Sequence, residues 1–286
     1  MSVVLNVIAE DAASLANDLR ELGDADWLAQ GHAFDIPFPD APEEMLARAR
    51  ALVGTRPADI NLVAMAQRRK SLLIADMDST IISCECLDEL ADMAGLKPQV
   101  AAVTERAMKG EIEFAPALRA RVALLKGLPL AALEKVWRER VRLNPGAGAL
   151  VATMRAHGAK TLLVSGGFTF FTQRVAGAAG FESEQANVLL DDGSALLGTV
   201  AEPILGREAK LEALERATRS AGLHYAETLA VGDGANDLAM IRRAGLGVAY
   251  HAKPIVAAAA GAGIAHGDLT ALLYLQGYRS DEIVGL

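Results

Sequence analysis

Short apolar runs that end in a small or acidic residue recur from Ser71 onward. They lack the alternation of a half-exposed strand, which is typical of strands covered on both faces of a parallel sheet. Helical stretches at 147–157, 207–221 and 236–244 supply the crossovers. The pattern predicts a doubly wound α/β domain with its site at the carboxyl ends of the strands. The strand candidates are SLLIAD (71–76), TLLVS (161–165), TLAVGD (228–233) and GVAY (247–250).

The first 70 residues follow a different order, which predicts a small ferredoxin-like α+β domain. Basic residues within 67–70 mark the predicted junction, so we expect domains at 1–70 and 71–286. The expected elements are a strand at 3–9, a helix at 12–22, paired strands within 26–38, a helix at 42–53 and a strand at 60–65.

Two insertions interrupt the α/β pattern. Residues 86–141 read as several amphipathic helices punctuated at Gly95, Gly110 and Gly127, and predict an inserted helical cap. In the segment 187–200, apolar runs flank Asp192-Gly193, which suits a β-hairpin with a two-residue turn. The Ala/Gly-rich segment 256–265 is expected to be a helix end and a turn.

Charge and composition exclude several classes of protein. With 28 basic and 36 acidic residues, a net charge of -8 and no basic block, nucleic acid is not an expected partner. The longest stretch without charged residues, 254–267, is shorter than the about 20 apolar residues of a membrane span. The N-terminus lacks the pattern of a secretory signal, so we expect a cytoplasmic protein. Cys84 and Cys86 are expected to be half-buried free thiols rather than zinc ligands.

Asp76 and Asp78 form a D-x-D pair directly after a predicted buried strand. A second such pair, Asp24 and Asp26, lies in a polar turn where solvated carboxylates are the simpler interpretation. At a strand end, the first acid can attack phosphorus as a nucleophile. The second can exchange a proton with the leaving oxygen. The D-x-D pair therefore favours phosphoryl chemistry.

Clustered carboxylates repel one another unless a cation is present, and their hard oxygen ligands favour Mg²⁺. Asp233 ends a second predicted strand, and Asp237 follows at a helix start in VGDGAND. Ser165, followed by two glycines, offers a hydroxyl and backbone N–H groups near an expected helix N-terminus. Lys210, at the start of another helix, offers a positive charge to a phosphoryl group.

Taken in order, IADMDST, VSGG, Lys210 and VGDGAND resemble the motifs of the haloacid dehalogenase-like phosphohydrolases, especially the branch that acts on O-phospho-L-serine. The resemblance covers about residues 71–277. It implies that Asp76 becomes an aspartyl-phosphate, and that Asp78 protonates the leaving alkoxide and then activates water. It also implies Mg²⁺ bound by Asp76, the Asp78 carbonyl and Asp233, with Asp237 in support. Ser165 and Lys210 would bind the phosphoryl group.

The same resemblance matches Glu85 to a substrate-binding glutamate and implies that the cap chooses the substrate. Phe114 and Arg121 are seven residues apart, two helical turns, and so share one helix face. Glu85 can pair with an ammonium, Arg121 can bind a carboxylate, and Phe114 can exclude water. Arg119 is a competing guanidinium. Gly166 and Asn236 complete the pocket by resemblance.

The N-terminal order is similar to an ACT-like domain, which would serve dimer contacts or amino-acid sensing. The turn at 9–13 lacks the glycine common in ligand-binding members, so we favour a structural role or a homodimer contact. Three alternatives to phosphoserine hydrolysis stay open. They are hydrolysis of another small phosphate ester, phosphotransfer to an alcohol such as homoserine, and amino-acid binding without catalysis. The last is disfavoured, because a binder does not need a self-repelling carboxylate cluster.

Overall fold

The N-terminal part of the chain is an antiparallel sheet with helices on one face. The computed structural model describes residues 2–39, 43–108 and 111–285. The elements are β1 (Val3–Ile8), α1 (Ala12–Asp18), β2 (Asp26–Ala29), β3 (Ala33–Phe38), α2 (Glu43–Val53) and β4 (Asp59–Ala64). The strand order β2-β3-β1-β4, with antiparallel neighbours throughout, is that of the expected ferredoxin-like arrangement.

The first N-terminal helix is shorter than expected. It ends at Asp18 rather than at 22, because the chain continues as turns. For the helix expected at 42–53, position 42 lies outside the described residues.

The remainder forms a parallel sheet in the order β12-β11-β10-β5-β6-β7, with helices on its faces. This confirms the predicted α/β class. Its central strands β5 and β10 are buried at every position, as continuous apolar runs require. The elements are β5 (Leu72–Ala75), α3 (Cys86–Met93), α4 (Lys97–Met108), α5 (Phe114–Leu124), α6 (Leu130–Glu139), α7 (Ala147–Ala156), β6 (Lys160–Phe168), α8 (Thr169–Ala179), β7 (Ser183–Asn187), β8 (Leu189–Asp191), β9 (Leu196–Val200), α9 (Arg207–Ser220), β10 (Thr228–Gly232), α10 (Leu238–Arg243), β11 (Leu246–Tyr250), α11 (Pro254–Ala257), β12 (Ala262–Ile264) and α12 (Ala271–Leu275).

The cap consists of α3 to α6, inserted between β5 and β6. Gly95 and Gly127 follow helix ends with positive φ, where glycine avoids strain, while Gly110 lies outside the described residues. The loop between α5 and α6 hydrogen-bonds with β9, because Gly127 N donates to Leu196 O and Leu196 N to Leu128 O. The cap is thus joined to the β8–β9 hairpin.

The expected β-hairpin is present as the antiparallel pair of β8 and β9, but the connection is longer than the expected two residues. Residues 192–195 connect β8 to β9. The Asp192 carboxylate stabilises this turn by accepting hydrogen bonds from the N–H groups of Ser194 and Ala195. The expectation for 256–265 is incomplete, since Ala262–Ile264 forms the parallel edge strand β12. Such a short Ala-Gly-Ile strand is specified by its neighbour β11 rather than by local preference.

The N-terminal sheet packs against the rest of the chain. Val4, Ile8 and Val63 on one face join the same apolar core as Leu272 and Leu273 of α12. The opposite face packs in a separate cluster with α1 and α2. Both faces of the sheet are therefore covered.

Polar contacts fix the same interface. Half-buried Arg68 forms a bidentate pair with buried Asp35, at 2.5 and 2.9 Å, and donates to the Tyr274 carbonyl. Asn61 exchanges two hydrogen bonds with the backbone of Gly263. Asp59 accepts from the N–H groups of residues 265–267. The two sheets meet along the edges of β4 and β12.

Within the described residues, no helix has the length and apolar character needed to cross a bilayer. Cys84 and Cys86 are free thiols, the first half-buried and the second buried.

Candidate active site

Neighbouring strands of the parallel sheet deliver the central polar groups. Asp76 follows β5, Asp233 follows β10, and Ser165 lies within β6. Because β10, β5 and β6 are adjacent and parallel, their carboxyl ends share one edge of the sheet.

Ser165 lies close to a helix N-terminus along the chain, as expected, but within a strand. Strand β6 continues to Phe168, and α8 begins only at Thr169. The pairing of β6 with β7 shifts register between Val164 and Phe168, an irregularity of the kind that redirects side chains beside active sites. This irregular stretch contains Ser165 and the two glycines after it.

Asp76 is buried, with 5% of its surface exposed. Its carboxylate accepts a hydrogen bond from Met77 N at 2.8 Å. It also forms an ion pair with Lys210 Nζ at 2.7 Å. Burial and the charge of Asp237 raise the pKa of Asp76 well above its ordinary value, while Lys210 acts in the opposite direction. Asp76 therefore depends on a nearby positive charge to stay ionised.

Lys210 supplies that charge from the first turn of α9, where the sequence predicted it. Its ammonium is 2.7 Å from Asp76 Oδ1 and 2.6 Å from Asp237 Oδ1. Burial alone would lower the pKa of Lys210, but the two carboxylates raise it above its ordinary value. Lys210 is thus a fixed cation beside the Asp76 carboxylate.

Asp78 is held at both carboxylate oxygens. Oδ1 accepts from Cys86 N at 2.8 Å, and Oδ2 accepts from the Ser165 hydroxyl at 3.1 Å. Burial, with a further contribution from the charge of Glu85, raises the pKa of Asp78 to about 6. A group with a pKa near neutrality is suited to give and take a proton.

Among the described residues, Asp76, Asp233 and Asp237 bring carboxylate oxygens within 4.8 Å of one another. Burial raises the pKa of Asp233 to about 6, and the charges of Asp237 and Glu85 add to this effect. A divalent cation would relieve this repulsion, and the oxygen donors fit Mg²⁺. The predicted contribution of the Asp78 carbonyl stays a prediction.

Glycines bring backbone close to Asp237. A Cβ at Gly232 would lie 2.4 Å from Asp237 Cγ, so a larger residue there would displace the carboxylate. Gly234 N donates to Asp237 Oδ2 at 3.0 Å. Because Asp237 is fully buried and already bound by Lys210 and Gly234, it fits the supporting role expected of it.

The cap reaches this centre through Phe114, at the start of α5. A Cβ at Gly166 would lie 3.2 Å from Phe114 Cζ, and one at Gly206 would lie 3.5 Å from Phe114 Cδ1. The aromatic ring therefore covers two backbone positions of the core beside Ser165. Asn236 is half-buried in the loop between β10 and α10.

Glu85 comes directly before α3 and accepts a hydrogen bond from the Ser79 hydroxyl at 2.7 Å. Ser79 has a positive φ of 56°, in the left-handed region. Sequence reasoning assigned Ser79 no role, although it stands in the motif IADMDST. The structure gives it one, because it orients the Glu85 carboxylate.

The two guanidinium groups of α5 differ in surroundings. Arg119 pairs with Glu202 at 2.6 Å, and both side chains are about half exposed. Arg121 is half-buried. Burial lowers the pKa of Arg121, while the charges of Asp88 and Glu85 act to raise it. The charge of Glu85 therefore acts on Arg121, whereas Arg119 pairs with Glu202.

Comparisons with known proteins agree with this geometry. Residues 73–242 match the family model described as haloacid dehalogenase-like hydrolase. A phosphoserine phosphatase of Polaromonas sp. is 47% identical over 209 residues, 71% of this chain and 89% of that protein. A probable phosphoserine phosphatase of Schizosaccharomyces pombe is 38% identical over 281 residues, 96% of this chain and 92% of that protein.

A solved structure extends the likeness to nearly the whole chain. The unliganded probable phosphoserine phosphatase of Vibrio cholerae superposes with a TM-score of 0.81 at 29% identity, covering 98% of this chain and 88% of that one. These likenesses do not confirm an ACT-like N-terminal domain. The family match and the identity to these relatives show that the chain belongs to the haloacid dehalogenase-like hydrolases, as a phosphoric monoester hydrolase.

Proposed function

We propose that the enzyme is a Mg²⁺-dependent phosphatase that converts O-phospho-L-serine to L-serine and phosphate through an aspartyl-phosphate on Asp76, the last step of serine biosynthesis. One observation carries the proposal. Asp76, held by Lys210, lies on the same sheet edge as the hydrogen-bonded pair of Asp78 and Ser165. The similarity to phosphoserine phosphatases supports the choice of substrate.

In the first half of the reaction, an Asp76 oxygen attacks phosphorus. A bond from that oxygen to phosphorus forms, and the bond from phosphorus to the serine oxygen breaks. Asp78 gives its proton to the departing oxygen, which its pKa of about 6 allows near neutral pH. Lys210 and Ser165 stabilise the negative charge of the transferring group.

In the second half, ionised Asp78 takes a proton from water as the water oxygen attacks phosphorus. The bond between phosphorus and Asp76 breaks, and phosphate leaves with the Asp76 carboxylate restored. Asp76, Asp233 and the Asp78 carbonyl, with Asp237 in support, would hold Mg²⁺, which would supply positive charge to offset the negative charge of the phosphate.

Substrate choice would rest on the cap. Glu85, oriented by Ser79, can pair with the substrate ammonium, and Arg121 can bind its carboxylate through a planar fork. Phe114 covers the backbone beside Ser165 and would keep water from the reacting phosphorus. Gly166 and Asn236 would complete the pocket. Together these groups match an α-amino acid.

The proposal is tested by phosphate release with Mg²⁺ from L-phosphoserine, L-phosphothreonine, phosphohomoserine and an aryl phosphate. The Asp76→Asn variant serves as the blank. A strong preference for phosphoserine that disappears in the blank is expected. Activity of equal size on all esters would overturn the substrate assignment but keep the phosphatase core. Transfer of phosphate to added homoserine would instead identify a phosphotransferase.

Cytoplasmic location stays a prediction, as does the division into domains at 1–70 and 71–286. We favour a structural or homodimer role for the N-terminal domain, because both faces of its sheet are covered. Serine binding with more than one site per chain would contradict this, and light scattering would report the oligomeric state.

A further inference from the structure

Asn187 is a buried amide at the end of β7, with 2% of its surface exposed. Its Nδ2 donates to the Gly166 carbonyl at 2.9 Å and to the Leu205 carbonyl at 3.3 Å. Its Oδ1 accepts from Leu205 N at 2.8 Å. The amide therefore uses both donors and its acceptor on the backbone of two different segments.

The first segment is the irregular part of β6 that carries Ser165. The Gly166 carbonyl and the Gly167 N–H belong to one planar trans peptide, so they point in opposite directions. Asn187 holds the carbonyl, and the Gly167 N–H on the other side donates to Ser165 Oγ at 2.8 Å. Ser165 in turn donates to Asp78 at 3.1 Å. One peptide plane thus links Asn187 to the Ser165 hydroxyl.

The second segment, which contains Leu205, is the loop that leads into α9. Leu205, clamped at both its N–H and its carbonyl, comes directly before Gly206 and the first turn that carries Lys210. Gly206 and Gly166 are also the two backbone positions that the Phe114 ring covers. Asn187 therefore ties together the segments that present Ser165 and Lys210, and both lie under the same cap side chain.

We propose that Asn187 is a positioning residue that fixes the Ser165 hydroxyl and the Lys210 ammonium relative to one another. The proposal rests on the phosphatase chemistry above, in which these two groups stabilise the transferring phosphoryl group. It assigns Asn187 no contact with the substrate. Loss of its amide should lower kcat, because small displacements of groups that stabilise a transition state are costly.

Asn61 provides a matched control. It is also a buried asparagine, 5% exposed, that binds backbone N–H and carbonyl groups, but it joins β4 to Gly263 at the interface of the two sheets. Asn187→Ala and Asn61→Ala should lower the melting temperature by similar amounts. Only Asn187→Ala should lower kcat per folded molecule, by about 10-fold or more, with a smaller change in KM. Asn187→Asp has the same size and keeps the acceptor for Leu205 N but loses the amide donor to the Gly166 carbonyl, so its kcat should also fall.

Rates are measured where circular dichroism shows each variant to be folded, with an aryl phosphate as well as phosphoserine. An Asn187→Ala kcat within about twofold of that of Asn61→Ala would overturn the positioning role. An Asn187→Asp kcat equal to that of wild type would also overturn it. If wild type prefers another ester, the substrate proposal fails, but the comparison of variants on that ester still decides the role of Asn187.

Discussion

Lys210 and Asp76 form an ion pair across 2.7 Å with nearly no access to solvent, since their side chains are 3% and 8% exposed. Asp237 accepts from the same ammonium at 2.6 Å. One cation therefore balances two buried carboxylates, and its removal would leave them with backbone N–H donors but without that positive charge. This makes Lys210 important for folding as well as for chemistry.

Replacement of Lys210 by Met should lower the free energy of unfolding by about 3–5 kcal/mol, because it leaves buried charge uncompensated. Urea denaturation measures the loss. Adding Asp237→Asn should restore part of it by removing one carboxylate. Lys135→Met, at an exposed position of α6, is the control and should be neutral. If the Lys210→Met protein were as stable as that control, Lys210 would not be needed to balance the charges of Asp76 and Asp237.

Mg²⁺ should stabilise the folded enzyme without any substrate. At a concentration of about 100 times its dissociation constant, the expected gain is about 2.7 kcal/mol, seen as a higher melting temperature. Asp233→Asn should remove most of this gain, because it withdraws one of the three clustered carboxylates. If Mg²⁺ raised the melting temperature of both proteins equally, Asp233 would not be a ligand.

Arg121→Ala should raise KM for phosphoserine by about 10-fold or more, while an aryl phosphate that lacks the carboxylate should be little affected. Arg119→Ala is the matched control on the same helix, since it loses only an exposed pair with Glu202. Steady-state kinetics on both substrates separate the two. Equal losses on both substrates in the Arg121 variant would indicate a structural role instead.

Arg68→Met should lower the free energy of unfolding by about 3 kcal/mol, because it leaves the buried Asp35 carboxylate with the Asn6 amide but without its cationic partner. These side chains are 11% and 5% exposed. The exposed pair of Arg48 and Glu21 should contribute less than about 1 kcal/mol, so Arg48→Met is the control. Similar values for the two variants in urea denaturation would show that the interface pair adds little.

The sequence predicted the parts of the site that follow strand ends. Asp76, Ser165 and Asp233 each come after a buried apolar run, and parallel strands bring such ends together. Lys210 could be placed on a helix start from local pattern alone. The class of the core was predictable for the same reason, because strands covered on both faces read as continuous apolar segments.

What the sequence could not predict depends on contacts between distant segments. Asn187 ends a polar strand, and nothing in the neighbouring sequence marks it as part of the site. Its proposed role comes from its hydrogen bonds to Gly166 and Leu205, which are distant in sequence. The short edge strand β12 is specified by pairing with β11. The choice between Arg119 and Arg121 required the position of Glu202, which lies 83 residues from Arg119.

The covered N-terminal sheet restricts how copies of the enzyme can associate through this domain. One face lies under α1 and α2, the other on the catalytic core, and the β4 edge lies against β12. At the remaining edge, Arg279 donates to the Trp27 carbonyl and pairs with Asp26. A second copy that binds this domain would therefore contact the outer surfaces of α1 and α2 or displace Arg279 from the edge strand β2.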